Sequence, residues 1–218
     1  MSLGPHLLQA LLEGTVTAAV LALYALGLSL VFGVMRVANM AHGEFFMLGA
    51  VVSYFVATSL VSPFWGFVLA MVVAPVIVGG IAYATDFLVL RRIQYQPEST
   101  IVATIGLLYI LQQSVLTILG PDARPVEPPV YFRIVLPWFG YAGHKVVVVV
   151  LALLLLLGTW LLLTRSTLGL HMRATQQNPE MAQAFGVPVR RLYATVFALG
   201  AMMAAVAVVT IVGLPIVG

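Results

Sequence analysis

Of the 218 residues, 62% are hydrophobic and 8% charged, with a mean hydropathy of +1.10, whereas a soluble domain is about a quarter charged. A chain of this composition cannot hide its apolar surface in a soluble core, so it belongs in a membrane, and a formal charge of +3 without a soluble basic surface excludes nucleic acid as a partner. With no Cys, disulfides, thiolate metal sites and cysteine nucleophiles are excluded as well. Residues 1–13 carry no Lys or Arg, which predicts no cleaved signal peptide. Charge-free runs follow at residues 14–35, 45–85, 99–121, 146–164 and 192–218. About 20 helical residues cross the hydrocarbon core. The run at 45–85 holds two spans, because Ser62-Pro63-Phe64-Trp65-Gly66 reads as a turn with an interfacial aromatic. The sequence therefore predicts an all-α polytopic integral membrane protein, with six transmembrane helices in a single domain over 1–218.

Between the first two helices, Arg36, Asn39, His42 and Glu44 interrupt the apolar pattern. Either this is a short aqueous loop, or it lies at membrane depth, where polar groups are costly and kept mainly for function. Asp86 closes the third helix and is expected to pair with Arg91. Pro75 is expected to kink that helix, and Gly27, Gly33, Gly79, Gly80 and the pair Gly200 and Ala204 to permit close helix packing. The loop at 120–145 has Pro121, Pro125, Pro128, Pro129 and Pro137, which deny it a long helix. Its aromatics Tyr131, Phe132, Trp138, Phe139 and Tyr141 suit the headgroup level. It reads as a packed cap or as a docking surface.

The loop at 165–191 is richer in signals. Asn178, Pro179 and Glu180 read as an N-cap, a first-turn proline and a first-turn acid, and Gly186 as the residue that closes a helix over 179–185. Met181 and Phe185 share a face of that helix, which is too short to be stable alone and must dock, on the membrane surface or on a cytoplasmic partner. Arg91, Arg92, Arg165, Arg173, Arg190 and Arg191 place the loops after the third and fifth helices inside, and parity puts the N-terminus outside. The four histidines show no ligand spacing, so no metal is expected. The only lysine, Lys145, precedes Val146, so the chain has no Walker A loop. If ATP drives this protein, another chain binds it.

The run Glu180-Met181-Ala182-x-x-x-Gly186 resembles the Glu-Ala-Ala-x-x-x-Gly cytoplasmic loop of ABC importer permeases, with Met in the second position. The stretch GLSLVFGVMRVANMAHGEFFMLGA is similar to the first block of the branched-chain amino-acid ABC permeases of the H type. The runs Thr100 to Gly106 and Thr195 to Ala201 agree with it, so the resemblance covers about 26–207. It implies a permease subunit that carries leucine, isoleucine or valine. It also implies partners: a second permease subunit, two cytoplasmic ATP-binding subunits holding the ATP, and a periplasmic substrate-binding protein, all at the bacterial inner membrane. Relatives carry urea, short amides or other amino acids, which are the alternative cargoes. The final residues, TIVGLPIVG, fit the family poorly, and relatives continue through further helices, so the resemblance implies a C-terminally shortened chain.

On this resemblance the first break becomes a broken helix near the translocation path, with Asn39 capping a helix that begins at Met40. Arg36, Asn39, His42, Gly43 and Glu44 form the candidate path, with His42 and Glu44 pairing with each other or with Arg36. The helix carrying Glu180, Met181, Ala182, Phe185 and Gly186 becomes the ATPase-coupling helix. A secondary transporter or channel would explain the composition and the polar break, but would leave the capped helix without a role. A membrane enzyme would need a compact catalytic set, and none is visible.

Overall fold

The computed structural model describes residues 3–122, 126, 129, 132–135 and 140–211. Long helices stand where the apolar runs predict them: α1 (Leu3–Met35), α2 (His42–Ser59), α3 (Pro63–Thr85), α4 (Pro97–Leu119), α5 (Gly143–Arg165) and α8 (Val189–Ile211). Two shorter helices, α6 (Thr167–Gln177) and α7 (Pro179–Ala184), occupy the loop between α5 and α8. The architecture is that of an all-α polytopic membrane protein. Five segments are long and apolar enough to cross a bilayer: His6–Met35, Pro63–Leu90, Pro97–Leu119, Gly143–Arg165 and Val189–Ile211. The sixth expected span is α2, which has 18 residues and carries His42 and Glu44 in its first turn.

Proline sits in the first turn of α3, α4 and α7, where its missing N–H is no loss and its fixed φ favours the helix. Pro75 lies inside α3 and is buried. Large apolar side chains such as Phe32, Val72, Ile110, Leu154 and Trp160 point outward. In water that would be a fault; in lipid it is the expected surface.

The core gathers on α8. Val196, Phe197, Ala201, Ala204 and Ala205 are buried there against α1, α2 and α3, and the Phe45 and Phe197 rings meet edge to face at 5.8 Å. Small residues make the approach possible. A Cβ on Gly27 would stand 2.6 Å from the Gly200 carbonyl oxygen, one on Gly49 2.6 Å from Ala205 Cα, and one on Gly79 2.5 Å from Met202 Cγ. Lipid tails are as apolar as leucine, so helices associate here by close packing rather than by a hydrophobic drive, and bulk at these positions would remove it. Gly80 has open space where its Cβ would be, so the expected close packing rests on Gly79 alone of that pair.

The α3 to α4 connection departs from expectation. A π-helical turn over Asp86–Leu90 carries the buried Asp86 toward Tyr95, whose hydroxyl donates to it at 3.3 Å. Gln94 and Tyr95 both take the left-handed conformation, with φ of +55° and +54°, which turns the Tyr95 ring onto Tyr193 at 4.9 Å. Arg91 lies over the Phe87 ring at 5.6 Å, so the expected Asp86–Arg91 ion pair is not made. Burial, then the Asp86 carboxylate, push the Tyr95 phenol above its ordinary pKa and keep it a donor.

On the opposite side of the molecule, β1 (Arg133–Val135) pairs antiparallel with β2 (Gly140–Ala142) ahead of α5. These strands fit the extended backbone expected of the 120–145 loop; its Tyr131, Trp138 and Phe139 lie outside the described residues. Lys145, at the start of α5, is paired with Glu13 of α1 at 2.5 Å.

Candidate functional site

Two polar segments carry the candidate residues. The first begins where α1 stops at Arg36, whose φ of +56° ends the helix and whose N–H still bonds the Phe32 carbonyl at 2.9 Å. The chain then turns back along α1. The Met40 N–H donates to Thr104 Oγ1 of α4 at 3.2 Å, and the Ala41 N–H donates to Asn39 Oδ1 at 3.1 Å. Helix α2 starts at His42, with Ala41 at its N-cap and no side-chain cap. The expected cap by Asn39 on a helix from Met40 is thus replaced by a turn that Asn39 closes two residues ahead, before the helix. The backbone amides of a re-entrant segment need partners at once, and Thr104 and Asn39 supply them.

His42 fixes the depth of this start. Its Nε2 lies 3.1 Å from the Tyr24 carbonyl oxygen, to which it must donate, and the two rings are 4.6 Å apart. Tyr24 precedes the end of α1 by about three turns, roughly 16 Å. The break is therefore packed back along α1 inside the helical bundle. Asn39 and His42 are 4% and 2% exposed, and Asn39 Nδ2 and His42 Nδ1 find no partner among the described residues. Glu44 is half-buried in the first turn of α2, a favourable place for a carboxylate beside the helix dipole. Gly43 faces the Tyr24 hydroxyl, 3.8 Å from where a Cβ would be.

The expected pairing of Glu44, His42 and Arg36 does not form. His42 is committed to Tyr24, the Glu44 carboxylate makes no hydrogen bond or ion pair among the described residues, and Arg36 donates to the Gln176 carbonyl at 2.9 Å. Tyr24, Thr104 and Gln176 are the partners that sequence reasoning missed. Each lies far along the chain from the residue it serves, and only Thr104, a hydroxyl in an apolar helix, carried a local signal.

The second segment opens with α6, which the sequence reading left inside a loop. Its start is nonetheless marked: Ser166 Oγ accepts from the Gly169 N–H at 3.0 Å, an N-cap. Gly169 packs against the Leu163 backbone so closely that a Cβ would overlap the Leu163 carbonyl, and Arg173 hydrogen-bonds that same carbonyl. Helix α6 is thereby folded against the end of α5. Asn178 then serves both neighbours: its N–H donates to the Ala174 carbonyl at 3.1 Å and its Oδ1 accepts from the Met181 N–H at 3.0 Å.

Helix α7 closes as its sequence predicts. Gly186 has φ +88°, its N–H donates to the Gln183 carbonyl at 3.0 Å, and the Val187 N–H donates to the Ala182 carbonyl at 3.0 Å. This is the paired closure of a Schellman motif. Regular helix ends at Ala184, with Phe185 as the cap. Ala182 faces inward, while Met181 and Phe185 are 53% and 84% exposed. Glu180 lies in the first turn, beside the positive end of the helix.

A family model described as "Branched-chain amino acid transport system / permease component" matches residues 10–214. The chain is 28% identical over 221 residues to the high-affinity branched-chain amino acid transport system permease protein BraD of Pseudomonas aeruginosa, covering 94% of this chain and 70% of that protein. It is 27% identical over 223 residues to the permease protein LivH of Escherichia coli K12, covering 93% and 69%. With a probable LivH of Methanocaldococcus jannaschii it shares 29% over 210 residues, covering 90% and 64%. No solved structure matches the chain.

Proposed function

We propose a function from this premise: the chain belongs to the branched-chain amino acid transport system permease family. It acts as a permease subunit of a multi-pass ABC importer in the cell inner membrane, moving leucine, isoleucine or valine. A periplasmic binding protein delivers the cargo, a second permease subunit completes the path, and two cytoplasmic ATP-binding subunits supply the energy. The chain itself binds no cofactor and catalyses no reaction in this scheme.

The observation that carries the ATP-driven part is α7. A six-residue helix capped at both ends, yet presenting Met181 and Phe185 to solvent, is a docking element whose apolar face lacks its counterpart. An ATPase subunit seated there would bury it. A self-contained channel or secondary transporter would have no need of such a helix at its cytoplasmic end.

The polar break supports the transport part. Asn39, His42, Gly43 and Glu44 stand at the start of a helix that begins about three turns back from the end of α1, so the positive end of α2 can face an amino-acid carboxylate. Arg36 guards the cytoplasmic side of that start. Binding-protein-dependent import needs only a polar, weakly selective path here.

Co-purification tests the assignment. In mild detergent the tagged chain is expected to retain an ATP-binding subunit from its own cells, and Phe185→Glu to release that subunit while the chain stays in the membrane. A chain that retains no ATP-binding subunit at all would overturn the proposal.

A further inference from the structure

Arg36 is where the two polar segments touch. Its guanidinium reaches the Gln176 carbonyl across 140 residues of sequence. Gln176 is the penultimate residue of α6, and carbonyls of a last turn lack partners within their own helix and attract a cation. From Gln176 to α7 the connection is short and stiff, because Asn178 ends one helix with its N–H and starts the next with its side chain. The other end of α6 is held on α5 by Gly169 and Arg173. Helix α6 is thus held on α5 at its start, packed into the core through Met172, and joined at its far end to both α7 and the Arg36 contact.

On the other side of the contact, Arg36 leads within three residues to Asn39. Its φ of +56° is a conformation that arginine adopts at a cost and that persists where the surroundings enforce it. As the first residue beyond α1, it can take up a displacement by rotating its own backbone, leaving α1 still and moving the break. The break has the means to hold a second arrangement, since Asn39 Nδ2 and His42 Nδ1 are buried without partners among the described residues.

We infer that Arg36 is a positioning residue that passes displacement of α7 to residues 37–44 through its hydrogen bond to the end of α6. This rests on the transport function proposed above, because the displacing partner is the ATP-binding subunit. Binding there and the state of the break are then two ends of one equilibrium, each biasing the other.

Hydrogen–deuterium exchange tests the inference on the chain assembled with its partner permease in lipid nanodiscs, with and without ATP-binding subunits loaded with a non-hydrolysable ATP analogue. In the parent, subunit binding is expected to change amide exchange over 37–44 by about fivefold or more, the scale of a functional coupling. Arg36→Gly suits the left-handed backbone and removes the guanidinium, so it is expected still to bind the subunits, with an affinity shifted by no more than the coupling it removes, while the change over 37–44 disappears. Arg36→Lys keeps a cation within reach of the carbonyl and should recover part of it. Persistence of the change in Arg36→Gly, or loss of subunit binding by that variant, would overturn the inference. A parent that binds the subunits but shows no change over 37–44 overturns the inference alone; a parent that binds none overturns the transport function and the inference with it.

Discussion

Asn39 and Asn178 do the same chemistry in opposite surroundings. Each lends a side-chain oxygen to a backbone N–H just ahead, at 3.1 Å and 3.0 Å, and each precedes a helix with an acid in its first turn. Asn39 is buried within the helical bundle, whereas Asn178 is exposed between α6 and α7. Around Asn39 the polar groups are inside and partly unpartnered; around Asn178 the apolar Met181 and Phe185 are outside. Each segment is inverted relative to its surroundings. The inner inversion suits a passing polar cargo and the outer one a docked protein, so a change at one should be felt as instability and a change at the other as lost association.

The comparison can be broken most forcefully at Gly27. Valine there would drive its side chain into the Gly200 carbonyl and against His42 Cε1, 3.2 Å from the Cβ, at the crossing that positions the start of α2. Gly27→Val is expected to cost about 3 kcal/mol, the upper end for overpacking, and to lower the melting temperature and yield of detergent-solubilised protein. Asn39→Ala comes next. It strands the Ala41 N–H in a buried site, for about 2 kcal/mol, and should reduce leucine uptake along with stability.

The segment around Asn178 should respond differently. Gly186 has open space around it, so Gly186→Val acts through its φ of +88° alone, at roughly 1 to 2 kcal/mol. The cost falls on α7, and weaker retention of the ATP-binding subunit in a pull-down should exceed any loss of thermal stability. Asn178→Ala removes an exposed cap for about 1 kcal/mol and should act the same way more mildly. Phe185→Ser is the sharpest case. Its effect on melting should stay within about 0.5 kcal/mol because the ring is 84% exposed among the described residues, yet subunit retention should fall sharply. If Asn39→Ala and Asn178→Ala proved equally destabilising, the contrast between the two segments would be wrong.

Features written in local sequence were legible. Pro179 at its helix start, the Asn178 cap, the Gly186 closure and the small residues at the α1–α8 crossing all act over a few residues or follow one helix face. What escaped the sequence depends on partners far along the chain. Asn39 would cap from Met40 if only its neighbours mattered, but Thr104 takes the Met40 N–H and moves the helix start to His42. Asp86 and Arg91 are close in sequence, but a π-helical turn followed by two left-handed residues gives Asp86 to Tyr95 instead. Helix α6 was missed because its buried Gly169, Met172 and Thr175 form a stripe with little bulk, two of the three not hydrophobic by type.

The position of α8 has a consequence for how the protein is made. It is the hub on which α1, α2 and α3 close, yet it is the last of these helices to leave the ribosome. At about 5–20 residues per second, the stretch between the end of α3 and the start of α8 takes on the order of 5 to 20 s to synthesise. During that interval Gly27, Gly49 and Gly79 are notches facing lipid or the insertion machinery, with nothing yet to fill them. Insertion must therefore run ahead of packing, and a ribosome that stalls before residue 189 would leave three inserted helices without a centre. Such a nascent chain would be an early target for membrane quality control, even though every one of its spans had entered the bilayer correctly.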